Sequence, residues 1–182
     1  MDIGETLYLT DIREWRRWLK RNHASKPEIW LVYYGKASGK PSIAYNDVVD
    51  EALCFGWIDS TVKKHGPQSR AQRFTPRRPG SKLSEMNKVR VRRLVEAKRM
   101  TKDGLDAAGD VLDEPFVIPA DILEALESDE QTWRNFEAFP NSYKRIRVGF
   151  VEGARGRPQV FRQRLAYFLK MTAANKRFGM VL

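Results

Sequence analysis

Glu51-Ala52-Leu53-Cys54-Phe55-Gly56-Trp57-Ile58-Asp59-Ser60 is the stretch whose reading decides the fold. Its first half closes an amphipathic helix. Val48, Val49, Ala52, Leu53 and Phe55 form the apolar side, Asn46 stands where a capping residue belongs, and Asp47 lies near the positive helix end. Gly56 ends the helix, and from Trp57 the apolar period changes to two. A strand to Lys64 then places Trp57, Asp59 and Thr61 on one face and Ile58, Ser60 and Val62 on the other. His65-Gly66-Pro67 turns the chain, and Ser69 to Thr75 returns as a basic strand bearing Arg70 and Arg73.

Working outward, Glu28 to Tyr34 is apolar on both alternating faces, as in a covered central strand. Gly35 to Pro41 is a loop or turn. It is not a phosphate loop, because Gly35 and Gly39 are one residue too close and Pro41 replaces the magnesium-binding Ser or Thr. Before the strand, Asp11 and Glu14 have capping-box spacing for a helix that buries Ile12, Trp15 and Leu19. After the hairpin, Pro76-Arg77-Arg78-Pro79 cannot continue a central strand and displays two guanidinium groups on a stiff loop. A helix capped by Ser81 or Ser84 follows to about Arg99, with Leu83, Met86, Val91, Leu94 and Ala97 as its stripe and Arg90 inside that stripe. Helical patterns recur from Asp103, at Ala120 to Leu126, at Thr132 to Phe139, after Pro140 (Tyr143, Ile146, Phe150) and from Pro158 (Phe161, Leu165, Phe168).

These readings predict an α+β fold: a small antiparallel sheet from about 28–36, 57–64 and 69–75, packed by helices at 11–22, 46–55 and 84–99. The α+β core domain is expected over residues 1–110, with a helical C-terminal part packed on it over 111–182. A single Cys excludes an internal disulfide, and Cys54 on its apolar segment reads as an inert core thiol. With two His and no metal-ligand spacing, neither a cofactor nor a metal is expected. The absence of an opening secretory pattern and of a long apolar run predicts a cytoplasmic chain with no membrane span. The net charge of +10 is uneven: residues 61–100 carry 13 basic groups and 2 acidic, 101–142 carry 2 and 11, and 143–182 carry 10 and 1. The two basic blocks either neutralise the acidic one within the fold, the favoured reading, or bind a polyanion such as nucleic acid.

Glu51 to Ser60, Arg73-Phe74-Thr75-Pro76-Arg77-Arg78-Pro79, Ser84-Glu85-Met86-Asn87 and Arg99 to Gly104 together resemble the YdeI or OmpD-associated family, also called bacteriocin-protection-like. The resemblance is carried mainly by residues 5–110 and more loosely by Pro119 to Leu126 and Ser142-Tyr143-Lys144-Arg145. It implies a bacterial stress or envelope-protection role and no established reaction.

Trp57, Asp59, Arg73, Arg77, Arg78, Asn87 and Arg90 are the candidate ligand- or partner-binding residues. Asp59 facing Arg70 or Arg73 across the hairpin reads first as a structural ion pair, and Arg90 turned inward would find Asp59 its most attractive partner. Arg77 and Arg78 have the fork geometry that clamps phosphate or carboxylate. The leading expectation is a non-enzymatic binding protein for an anionic small molecule or a protein partner. A nucleic-acid module using blocks 61–100 and 143–182 is the alternative, and a small enzyme with Asp59 as acid or base ranks third.

Overall fold

A computed structural model describes residues 2–180, and the chain divides into two compact units, residues 1–81 with 91–109 and residues 82–90 with 110–182. In the first, β1 (Thr6–Leu7), α1 (Ile12–Asn22), β2 (Ile29–Tyr34), α2 (Tyr45–Cys54), β3 (Trp57–Gly66) and β4 (Ser69–Pro76) follow in order. The sheet runs β1-β2-β4-β3. Both β2 and β3 pair antiparallel with β4, while β1 adds a parallel edge to β2. The fold is therefore α+β as expected, with a mixed sheet of four strands. Two residues are too few to show a strand period, so β1 reads in the sequence only as an apolar lead-in.

The predicted helix termini are partly corrected. Asp11 caps α1, its side chain accepting from the Arg13 backbone N–H. Ala44, not Asn46, occupies the N-cap position of α2 and makes no side-chain cap. β3 carries a larger correction. Asp59 faces Phe74 and Val62 faces Gln72, so Ser60 and Thr61 together oppose the single Arg73. This bulge turns the side chains from Val62 to Lys64 to the opposite face, before a second irregularity between Lys64 and Gly66. Val62 and Lys64 thus share the face of Asp59, where unbroken alternation places them on the other one.

That face is the inner one. Trp15 of α1 meets Phe74 with ring centroids 5.5 Å apart, and the Trp57 indole donates to the His23 carbonyl over 3.0 Å. Trp15, Trp57 and Phe74 are fully buried, each a large apolar contribution of about 1.5–3 kcal/mol. Gly56 turns the chain from α2 into β3 with φ of 74°, a conformation that disfavours any side chain. The helices α3 (Glu85–Glu96) and α4 (Lys102–Ala108) follow. Thr101 caps α4 and donates its hydroxyl to the Cys54 carbonyl over 2.6 Å. At Gly104 a Cβ would overlap that same carbonyl, so a glycine is what lets α4 close on the end of α2.

The boundary between the units falls within α3, whose first residues belong to the second unit. There α5 (Ala120–Glu127), α6 (Glu130–Ala138), α7 (Asn141–Glu152) and α8 (Pro158–Ala173) match the predicted helical stretches closely. Ile122, Leu126, Phe136, Val148, Val151 and Phe168 form their core. Phe150 departs from its predicted stripe: it is exposed, with the Arg164 guanidinium 3.8 Å over its ring. No helix of the described residues is long and apolar enough to cross a membrane.

Candidate functional site

Charge in the first unit is arranged in two contrasting ways. Asp50 and Glu51 on α2 are both buried. Glu51 accepts from Arg16 over 2.6 Å and from Arg99, and Asp50 is paired with Arg93. Arg16 also reaches the Arg99 carbonyl at 3.3 Å. Desolvation pulls the Arg99 guanidinium down, but its hydrogen bond to Glu51 overrides this and leaves it above its ordinary value. Nearby, Arg73 grips Glu28 through Nε at 2.8 Å and Nη2 at 2.5 Å. Those bonds hold the Glu28 carboxyl below its ordinary range. Burial, and then the charge of Glu51, push the Cys54 thiol up to about 11, so it stays protonated and inert near neutral pH.

The sequence candidates occupy several of these places. Trp57 is in the core. Asp59 accepts from the Tyr45 hydroxyl at 2.5 Å and from the Gln72 amide at 3.4 Å. The expected pairing of Asp59 with Arg70 or Arg73 does not form, because Arg73 is held by Glu28 and Arg70 lies 5.8 Å from the Tyr33 ring centroid. Arg77 turns inward, donating to the Ala107 carbonyl and, over 2.5 Å, to the Ser81 carbonyl. Burial lowers its pKa, since carbonyls rather than a carboxylate receive it. Arg78 beside it is exposed, so the two arginines do not form one clamp. In the second unit the Asn87 backbone N–H donates to Ser84 Oγ at 3.3 Å, and Arg90 is 2% exposed, as its place in the apolar stripe implies.

The other arrangement lies at the far end of the sheet. Residues 29–46 and 60–84 contain no Asp or Glu, and strand pairing brings the two stretches together. Tyr33 faces Arg70 across β2 and β4, and Arg70 faces Lys64 across β4 and β3. This cross-strand row ends in a groove of about 550 Å³ lined by Tyr33, Lys36, Lys64 and Arg70 and floored by the hairpin turn. A neighbouring recess of about 390 Å³ shares Tyr34 and the turn and adds Lys40 and His65. No carboxylate lines either one. Tyr33 is 7% exposed and its hydroxyl has no hydrogen-bond partner. Burial raises its pKa, followed by the influence of Tyr45, against a smaller opposing effect of Arg70. The hydroxyl is therefore a proton donor without an acceptor.

Sequence reasoning missed Lys36, Lys64, Arg70 and Tyr33 as a group because the bulge alone puts Lys64 into their row. The readable signal was the pair of acid-free stretches. It also passed over Asp50 and Glu51, although their position between Val49 and Ala52 marks them as carboxylates on a buried helix face. Among the described residues no group of three or more His, Cys, Asp or Glu could hold a metal ion.

Residues 115–175 match the family model described as Bacteriocin-protection, YdeI or OmpD-Associated. This corrects the reach of the resemblance, which was drawn mainly from residues 5–110: the match lies on the helical part where Pro119 to Leu126 and Ser142 to Arg145 carried it only loosely. Comparison with curated proteins and with solved structures gives no match. Residues 7–107, more than half of the chain and the part that holds the sheet and its groove, match a second model, and the chain belongs to that family, described as Domain of unknown function (DUF8412).

Proposed function

We propose that this chain is a non-enzymatic binding protein of the bacterial protection type, working in the cytoplasm and taking an anionic ligand at the end of its sheet. The observation that carries the reading is the groove's uncompensated charge: Lys36, Lys64 and Arg70 surround it, and no carboxylate does. In the same unit, Arg16, Arg73, Arg93 and Arg99 each have an acidic partner. Cations left without one keep their attraction for an incoming anion. Asp59, the best acid or base in the sequence, is engaged by Tyr45 and does not line the groove, which favours binding over catalysis. Commitment of Arg73, Arg93 and Arg99 to internal carboxylates also thins the 61–100 block on which a nucleic-acid module would rely. Titration with inorganic pyrophosphate, followed by amide chemical shifts, tests the proposal. Shifts centred on Lys36, Lys64 and Arg70 are expected, and a spectrum unmoved at low salt would overturn it.

A further inference from the structure

Two properties of the groove narrow the class of anion. The first is charge. Lys36, Lys64 and Arg70 supply three positive charges with no acid among the lining residues. A carboxylate ligand would leave most of that charge unmet. A phosphate ester, dianionic above its second ionisation near pH 6, meets more of it and offers several oxygens to the guanidinium fork and the two ammonium groups.

The second property is the recess that continues the groove. It is bounded by Tyr34, Lys40, His65 and Pro67, three ring-bearing residues and one further cation. Tyr34 already receives an edge-on ring from Tyr8 at 5.0 Å and the Lys40 ammonium at 4.3 Å. Planar and cationic surfaces of this kind accept a flat heterocycle. Volumes of about 550 and 390 Å³ sharing one wall suit a small ligand with a phosphate at one end and a ring at the other.

Resting on the anion-binding reading above, we infer that the ligand is a mononucleotide, its phosphate held by Lys36, Lys64 and Arg70 and its base placed in the recess beside Tyr34. Calorimetric titration of the full chain with pyrophosphate, ribose 5-phosphate, AMP and a thymidine tetranucleotide lacking a terminal phosphate tests it. AMP is expected to bind about tenfold more tightly than ribose 5-phosphate through the base contact. Tyr34→Ala should erase that advantage and Tyr34→Phe should keep it, a pair that separates ring contact from loss of folding. Lys64→Gln should weaken both phosphate esters by about tenfold. Equal affinities for AMP and ribose 5-phosphate, with pyrophosphate still bound, would overturn the nucleotide assignment and leave the anion site standing. Failure of pyrophosphate itself would remove both readings. A tetranucleotide that binds as tightly as AMP would replace a free nucleotide with a single strand and so overturn the inference as well.

Discussion

The buried face of α2 and the end of the β3–β4 hairpin treat positive charge in opposite ways. At α2, Asp50 and Glu51 are buried and Arg16, Arg93 and Arg99 converge on them, so that each of the three cations already has an acidic partner. At the hairpin, Lys36, Lys64 and Arg70 border a groove with no carboxylate. The first arrangement holds α1, α2 and the chain around Arg99 together. The second has no carboxylate to engage its cations, which leaves them for a ligand. Arginine content alone does not separate the two: what separates them is whether acids are folded in beside the cations.

The contrast can be broken at either end. Glu51→Ala should have the largest effect, because it strands Arg16 and Arg99 beside a buried site; a loss of about 3 kcal/mol in urea unfolding is expected, tempered by their partial exposure. A change within about 0.5 kcal/mol would mean that the network does not hold the fold. The double change Lys64→Gln with Arg70→Gln should reverse the pattern, costing pyrophosphate affinity about tenfold or more while stability stays within about 0.5 kcal/mol. Unfolding of this variant would make the groove cations structural.

A smaller effect should follow acidification. Glu28, held below its ordinary value of 4.5 chiefly by Arg73, contributes its stability in full above that value and loses it as pH falls through the lower folded pKa. Glu28→Gln should accordingly flatten the acid limb of the stability curve below about pH 4.5, and an unaltered limb would separate the pair from stability. Least of all, Tyr33→Phe removes a buried hydroxyl that has no partner. Its stability should be unchanged or higher by up to about 1 kcal/mol; a clear loss would show that the hydroxyl is satisfied in the folded protein.

Much of the architecture was legible where pattern runs long. The change of period at Gly56, the apolar run of β2 and the stripes of α5 to α8 are local signals repeated over many residues. β1 escaped because two residues carry no period. The bulge at Ser60 and Thr61 escaped because alternation alone cannot show an added residue; pairing with β4 is needed to reveal it. The site was less legible for the same reason. Asp59 drew attention by its neighbours in sequence, whereas Tyr33, Arg70 and Lys64 become neighbours only across three strands. Arg77 and Arg78, adjacent in the chain, take opposite directions once Arg77 finds the Ala107 and Ser81 carbonyls.

Calorimetry with pyrophosphate at low salt on two double variants tests most directly the claim that the groove's unpaired cations are the binding site. Lys64→Gln with Arg70→Gln should weaken binding about tenfold or more, and Arg77→Gln with Arg78→Gln should leave it as in the unaltered chain. Binding that survives the first pair and is lost with the second would contradict the account and return the site to the loop after the hairpin.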